Sequence, residues 1–239
     1  VYDVTYHIDA EGHRITSGSY SLPKVLILGD SFTFGQGVED SSPYPEVLQG
    51  SFPDYKIING GVSAWGTVQA YLELRQQLAS HDDVRAVVYA FIDADLERNY
   101  LRRTWLEHIS KSRGLRVPYF DDNNGQLVYK GLADPARDGL DDGAYLRDKE
   151  ETLTRLLLAN MKSLCTKRSI PFIVVHLPDT PSTDFDAQIA PIVGEDFYVD
   201  LRREIDYSKT HLRFDGHPSP EGHRQIAEAL KPVLNRLLN

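Results

Sequence analysis

The sequence predicts an α/β protein with a parallel five-stranded sheet that carries helices on both faces. First, short runs of continuous apolar residues, typical of strands buried on both sides, recur along the chain. Second, longer segments with helical periodicity separate these runs, which indicates right-handed βαβ crossovers. Third, 239 residues with 41% hydrophobic content suffice for one α/β domain, or two small domains, with a full core.

The strand pattern is strongest in Lys24 to Gly29 and in Val84 to Phe91, where apolar residues are nearly continuous. Helical signals fill the intervals. Pro43 suits the first turn of a helix, and the apolar residues of the closing segment recur at amphipathic spacing. The predicted strands are 24–29, 55–58, 84–91, 171–177 and 197–201. The predicted helices are 43–48, 68–79, 96–109, 144–167 and 219–238.

Two segments lie outside this alternation. Residues 1–20 form an N-terminal extension whose alternating apolar residues and turn at 9–12 predict a β-hairpin. Residues 112–142 are an insertion, in which the Asp- and Asn-rich turn at 121–125 predicts a second hairpin and the stretch 134–143 is typical of a loop. The remaining domain spans residues 21–239.

The composition excludes several classes of function. A net charge of −9 argues against non-specific binding to nucleic acid or to an anionic membrane, since both favour a basic surface. No apolar run approaches the roughly 18 to 20 residues that span a bilayer. Cys165 is the single cysteine, which rules out an internal disulfide and a cysteine-based zinc site. The chain begins at Val1 rather than Met, from which we expect a trimmed or mature form.

The residues that end the first strand, Gly29-Asp30-Ser31, predict a nucleophile. A serine at the carboxyl end of a buried parallel strand lies where open α/β sheets bind their ligands, and glycine permits the sharp turn. A serine hydroxyl also needs a histidine base and an orienting carboxylate. Asp215-Gly-His217, just before the last helix, offers both. The alternative is that Ser31 only ends a strand in a turn.

Four blocks in this order resemble the SGNH/GDSL hydrolases: 29–31, 59–66, 91–96 and 215–218. The resemblance runs from residue 24 to 238. It implies a flavodoxin-like three-layer α/β/α fold and ester hydrolysis or acyl transfer without a metal or other cofactor. It also implies that Ser31 is the nucleophile, His217 the base and Asp215 the carboxylate that orients His217. The family more often has two residues between this Asp and His, where this chain has one.

The resemblance also implies an oxyanion hole with one donor missing. The family's donors are the backbone N–H of the nucleophile, here Ser31, a glycine N–H at the position of Ala64, and an asparagine side chain at the position of Ala94. Losing one such donor costs roughly 100- to 1,000-fold in turnover. The chain is therefore a slow enzyme, an enzyme with a substitute donor, or no longer catalytic. Asn99 and Asn59 are candidate substitutes.

Other residues are candidates for supporting roles. The candidate substrate contacts are Trp65, Asp93 and Asn99, although Trp65 suits core packing equally well. Asp93 and Asp95 alone are weak evidence for a metal, and Asp95 is expected to cap the following helix. The arginines expected on one solvated helix face are Arg98, Arg102 and Arg103. His223 is expected on a helix face rather than as the base, because it lies six residues beyond His217 at the start of the closing helix.

These expectations predict a serine esterase that removes a small acyl group, such as acetyl, from a carbohydrate-like alcohol. The carbohydrate and a periplasmic or extracellular location are implied by residues 31–38, which resemble exported or membrane-anchored bacterial branches of the family. Two alternatives stay open. An O-acyltransferase would pass the acyl group from Ser31 to a sugar hydroxyl instead of water. A binding or scaffold module would keep the fold and lack turnover, which Ala94 favours.

Overall fold

Five parallel strands form the central sheet of the computed structural model, which describes residues 2–134, 138–139, 146–179 and 184–238. The strands are β1 (Lys24–Gly29), β2 (Lys56–Gly61), β3 (Val84–Phe91), β6 (Phe172–His176) and β7 (Tyr198–Asp200). Their order across the sheet is β2-β1-β3-β6-β7. The chain starts in the middle of the sheet and winds both ways, so β1 and β3 flank the switch point where such folds bind ligands. The predicted five-stranded parallel sheet is confirmed.

Helices cover both faces of this sheet. In chain order they are α1 (Ser31–Phe34), α2 (Tyr44–Gln49), α3 (Thr67–Ser80), α4 (Ala94–Asn99), α5 (Arg103–Arg113), α6 (Arg147–Thr166), α7 (Asp186–Val193), α8 (Tyr207–Thr210) and α9 (Pro220–Leu238). Alternate residues of β1 enter opposite cores: Leu26 and Leu28 pack with α3 and α6, whereas Val25 and Ile27 pack with α2 and α9. Burial on both faces explains why the strands are continuously apolar, and it gives three layers.

The sequence predicts one helix over 96–109, but the structure has two, α4 and α5. The chain between them turns at Leu101, whose φ is +55°. A leucine adopts this left-handed conformation only where the surroundings favour it, and here its buried side chain packs in a small third core. Helix α7 was not predicted, since a proline interrupts its eight residues.

The insertion carries the predicted hairpin, β4 (Pro118–Asn123) paired with β5 (Gln126–Leu132). Phe120 packs the hairpin against the main core through an edge contact with Tyr71, with 5.6 Å between the ring centroids. Most of the predicted loop over 134–143, and the predicted start of the long helix at Ala144, lie outside the described residues.

The N-terminal extension is less regular than the hairpin that the sequence predicts. Pairing is limited to a single antiparallel bridge between Ile8 and Arg14, and Arg14 also bridges Asn59 at the end of β2. The Arg14 guanidinium is fully buried and donates to the carbonyls of Phe34, Gly35 and Val38. The buried Arg14 therefore joins the extension to the end of α1 and the segment after it, and side-chain hydrogen bonds such as that from Lys56 Nζ to the Thr16 carbonyl add to this attachment.

Candidate active site

Ser31 stands at the first position of α1, directly after β1. Asp30 caps this short helix, because its Oδ1 accepts a hydrogen bond from the Phe32 backbone N–H at 2.9 Å. Gly29 is required at the end of β1, since a Cβ there would lie 2.2 Å from the Thr33 hydroxyl oxygen. The strand-to-helix turn thus presents the Ser31 hydroxyl at the carboxyl edge of the sheet, as the sequence predicts for a nucleophile.

The structure brings Ser31, His217 and Asp215 into one hydrogen-bonded chain. Ser31 Oγ lies 2.8 Å from His217 Nε2, and His217 Nδ1 lies 2.9 Å from Asp215 Oδ2. The His217 backbone N–H also donates to Asp215 Oδ1 at 3.1 Å. Gly216 makes this close Asp-Gly-His spacing workable, because its φ of +76° turns the chain back on itself.

Of the eight histidines, all within the described residues, His217 is the one hydrogen-bonded to Ser31. His223 is buried on α9, where its Nδ1 accepts from the Tyr44 N–H, and burial lowers its pKa to about 3. Burial likewise lowers the pKa of His211, whose Nδ1–H donates to the Tyr207 carbonyl at 2.8 Å. His176 is fully buried beside Tyr198.

Two backbone amides, those of Ser31 and Ala64, are the donors that the sequence predicts for an oxyanion hole. The N–H groups of Ser31 and Ala64 donate no hydrogen bond to any group among the described residues. Ala64 has a φ of +69°, the left-handed conformation that glycine adopts most easily. This conformation explains physically why glycine suits the position, and it shows that alanine can occupy it.

Neither asparagine that the sequence nominates as a substitute donor is available. The Asn99 amide donates to the hydroxyls of Thr67 and Thr154 at 2.9 and 2.8 Å, and its side chain is buried. Asn59 accepts from the Gly61 N–H, and its amide is directed at the Phe34 carbonyl. Asn99 is therefore a core hydrogen-bonding residue and not a substrate contact. Ala94 begins α4, and its side chain is a methyl group without a donor.

The expectation of a solvated arginine face is wrong. The Arg98 side chain is only 16% exposed, and its Nη1 donates to Asp30 Oδ2 at 2.9 Å and to the Trp65 carbonyl at 2.8 Å. Arg102 pairs with the fully buried Glu150. Amphipathic periodicity does not identify such arginines, because segments distant in the sequence bury them.

Asp95 does not cap α4 as predicted but lies within its first turn, where its side chain is buried. Its carboxyl accepts from the Tyr89 hydroxyl at 2.7 Å and from Arg98 at 3.1 Å. Burial raises the pKa of Asp95 to about 8, although the charge of Arg98 opposes the shift. Asp93 is buried beside His176 and Arg202, with its Oδ2 at 3.4 and 3.8 Å from their nitrogens. Among the described residues, no three His, Cys, Asp or Glu side chains are placed to hold a metal ion.

Trp65 is partly exposed and lines a cavity of about 390 Å³ that sequence reasoning did not foresee. Ala64 and Phe34 form one wall of this cavity, and Val117 and Pro118 from the insertion form another. Ala64, whose N–H is one of the two predicted oxyanion donors, therefore lines this cavity.

Comparison with solved structures gives the same fold at low sequence identity. TesA is 15% identical, with a TM-score of 0.56 over 90% of this chain and 99% of TesA. The psychrotrophic esterase EstA from Pseudoalteromonas sp. is 13% identical, with a TM-score of 0.56 over 91% of this chain and 99% of EstA. A putative lipolytic protein of the G-D-S-L family from Desulfitobacterium hafniense DCB-2 is 14% identical, with a TM-score of 0.52 over 89% of this chain and 99% of its own.

No family model matches the sequence, and no curated protein matches it. At these identities the likeness shows the fold. The flavodoxin-like three-layer α/β/α fold shared with SGNH/GDSL proteins, predicted from the order of the motifs, is confirmed. Within the described residues, no helix combines the length and apolar character needed to cross a membrane.

Proposed function

From the shared fold of the SGNH/GDSL proteins, we propose that this protein is a serine hydrolase that cleaves a small carboxylic ester. The single observation that carries the proposal is the hydrogen-bonded chain from Ser31 Oγ through His217 to Asp215. A serine that simply ended a strand would have no need of an imidazole at 2.8 Å, backed by a carboxylate at 2.9 Å.

In the first half of the reaction, Ser31 Oγ attacks the ester carbonyl carbon while His217 Nε2 accepts the hydroxyl proton. Asp215 accepts the Nδ1–H bond, which holds the imidazole in the tautomer whose Nε2 is free to take a proton. The tetrahedral intermediate then collapses, His217 returns the proton to the leaving alkoxide, and the alcohol departs. The acyl group remains on Ser31 as an ester.

In the second half, water takes the place of the alcohol. His217 removes a proton from the water as it attacks the acyl-Ser31 carbonyl, and collapse returns that proton to Ser31 Oγ. The carboxylic acid leaves, and the free serine is regenerated. Throughout, the N–H groups of Ser31 and Ala64 serve as donors to the oxyanion.

The proposed substrate class is argued from the residues near Ser31, His217 and Asp215. Ala64, one of the two proposed oxyanion donors, lines the cavity, and we propose that the cavity receives a short acyl group such as acetyl. Partly exposed Trp65 offers an aromatic face for a carbohydrate-like alcohol, in line with the resemblance of residues 31–38 to branches that act on acylated carbohydrate. Ser31, His217 and Asp215 need no metal or other cofactor for this chemistry.

A fluorophosphonate probe tests the proposal, since it phosphonylates only an activated serine. EstA, which shares the fold, has a structure inhibited by monoethylphosphonate. We expect one equivalent of probe on the wild type by intact mass, located on Ser31 by peptide mapping, and none on Ser31→Ala. Ser208→Ala is the matched control, because Ser208 is an exposed serine whose hydroxyl donates to Asp206. Equal labelling of wild type and Ser31→Ala would refute the assignment.

A further inference from the structure

The geometry of α4 points to a donor for the oxyanion that the resemblance does not supply. This inference rests on the proposed function. Arg98 lies four residues after Ala94, and side chains at this spacing share one helix face. Helical side chains also lean toward the N-terminus of their helix, so Arg98 extends back over the turn that Ala94 begins. The methyl group of Ala94 is smaller than the asparagine side chain that the resemblance implies at this position.

The Arg98 guanidinium is anchored to both loops that carry the backbone donors. Its Nη1 lies 2.9 Å from a carboxylate oxygen of Asp30, the residue before Ser31. The same nitrogen lies 2.8 Å from the carbonyl oxygen of Trp65, the residue after Ala64. A third contact, 3.1 Å to Asp95 Oδ1, fixes the group from below. The guanidinium is thus bonded to the residue before Ser31 and to the residue after Ala64.

Close packing of α4 on the Trp65 loop makes this placement rigid. Gly66 follows Trp65, and a Cβ at Gly66 would lie 3.0 Å from the Cβ of Arg98. The glycine therefore allows the stem of Arg98 to pass directly against the loop. A packed stem loses little further freedom when the guanidinium binds an oxyanion, which is the condition for a preorganised donor.

Arg98 also has N–H groups that donate to no acceptor among the described residues. All its hydrogen bonds to described residues use Nη1, which leaves Nε and Nη2 without an acceptor among them, and the side chain retains 16% exposure. Burial opposes its charge, but Asp30 and Asp95 outweigh burial and raise the pKa of Arg98 above its usual range. A fixed cation here also offsets the carboxylate of Asp30, which would otherwise repel an oxyanion forming on Ser31.

We propose that Arg98 is a catalytic residue, whose free N–H groups donate the third hydrogen bond to the oxyanion in place of the asparagine side chain absent at Ala94. A charged donor is stronger than the amide that it replaces. The ester carbonyl carries little charge before attack, so the bond strengthens mainly in the transition state and acts on kcat rather than KM. A purely structural Arg98 would hold the Asp30 loop and nothing more.

The experiment measures kcat and KM on p-nitrophenyl acetate for Arg98→Met, Ala94→Asn and the double variant. For Arg98→Met we expect a loss of about 100-fold or more in kcat with KM within about threefold. Ala94→Asn alone should not raise kcat, because Arg98 already fills the role. In the Arg98→Met background, Ala94→Asn should restore kcat by about tenfold or more, since the amide then supplies the missing bond.

Two further variants keep the test decisive. Arg98→Lys retains the cation beside Asp30 if Arg98→Met does not fold, and it should lose about tenfold or more in kcat because it lacks the forked donors. The matched control neutralises the neighbouring buried pair through Arg102→Met with Glu150→Gln, and its kcat should stay within about threefold of wild type.

The outcomes separate the two levels of the proposal. Absence of any Ser31-dependent turnover in the wild type would overturn the proposed function and this assignment with it. Turnover that depends on Ser31 but survives in folded Arg98→Met or Arg98→Lys would overturn the role of Arg98 alone. Failure of Ala94→Asn to rescue a folded Arg98→Met would also overturn that role, because the loss would then come from a displaced Asp30 loop.

Discussion

Asp215 and His217 are hydrogen-bonded to each other across a single glycine, both through their side chains at 2.9 Å and through the His217 backbone N–H at 3.1 Å. One carboxylate thus fixes both the ring and the chain of the histidine. The hydroxyl of Tyr207 donates to the Gly216 carbonyl at 3.1 Å and supports the turn from outside. This closed turn lets the two side chains pair although only one residue separates them.

Gly216→Ala should therefore lower kcat strongly, although the substitution adds only one methyl group. A Cβ would lie 2.5 Å from the Tyr207 hydroxyl oxygen, and the φ of +76° is unfavourable for alanine. We expect about a tenfold or larger fall in kcat, because misplacing the base weakens every proton transfer. Gly114→Ala is the control, since Gly114 has a φ of +63° with open space around it. It should lower stability but leave kcat unchanged, and an equal effect of both variants on kcat would contradict this account.

The two histidines near the C-terminus should behave oppositely when replaced. His217→Ala should remove nearly all turnover on p-nitrophenyl acetate, because Ser31 loses its base. His223→Asn should keep most of it, because His223 bonds to the Tyr44 N–H and not to any member of the proton-transfer chain. Steady-state kinetics on both variants measures this directly. If the His217→Ala variant were active and the His223→Asn variant inactive, the base would have been assigned to the wrong histidine.

His223 should also make the stability of the protein dependent on pH. Burial lowers its pKa to about 3, whereas an imidazole in the unfolded chain titrates near about 6.5. The unfolded state therefore binds a proton more readily between these values. The contribution of neutral His223 to stability is fully present above about pH 6.5 and is lost as the pH falls toward 3. Urea unfolding at several pH values measures the free energy of unfolding. Below about pH 6.5 this free energy should fall less steeply for His223→Asn than for wild type. An equal fall in both proteins would refute the prediction.

Ala64→Gly should stabilise the protein without impairing turnover. The φ of +69° costs alanine roughly 1 to 2 kcal/mol in strain that glycine avoids, although glycine loses about 0.5 to 1 kcal/mol through its freer unfolded state. The net expectation is a gain of between about 0 and 1.5 kcal/mol, with the backbone N–H donor retained. Ala159→Gly on the exposed face of α6 is the control, and it should lose about 1 kcal/mol. Loss of stability in both variants would contradict strain at Ala64.

Arg14→Met should lower both the stability of the fold and the reactivity of Ser31. The buried guanidinium satisfies the carbonyls of Phe34, Gly35 and Val38 just after α1, and its loss leaves them and Asp40 without that partner. Breaking such a buried set costs about 3 kcal/mol or more. Thermal unfolding temperature and the rate of fluorophosphonate labelling of Ser31 should both fall. Arg224→Met removes an exposed arginine and should change stability by no more than about 0.5 kcal/mol. Comparable losses in the two variants would show that Arg14 is not a specific anchor.

The sequence by itself was enough to predict the parallel sheet and its helices, and to place Ser31 at a strand end with Asp215 and His217 near the C-terminus. Each of these features is encoded locally. Burial of a strand on both faces needs an apolar run, an amphipathic helix needs a period near 3.6, and a sharp turn needs glycine within a few residues. The regularity of the N-terminal pairing, the break at Leu101 and the position of α7 were not encoded so plainly, because packing decided them.

Tertiary structure alone decided what surrounds the reacting serine. Helical periodicity places Arg98, Arg102 and Arg103 on a polar face, yet Arg98 is buried because the loop ending at Gly66 packs against its stem. Asn99 carries a suitable amide, but Thr67 and Thr154 from two other helices occupy it. Exposure and hydrogen-bond partners of a polar side chain depend on segments distant in sequence, which no local pattern records. For that reason the sequence could show that residue 94 is an alanine without a side-chain donor, whereas only the folded chain showed that Arg98 is bonded to Asp30 and to the Trp65 carbonyl.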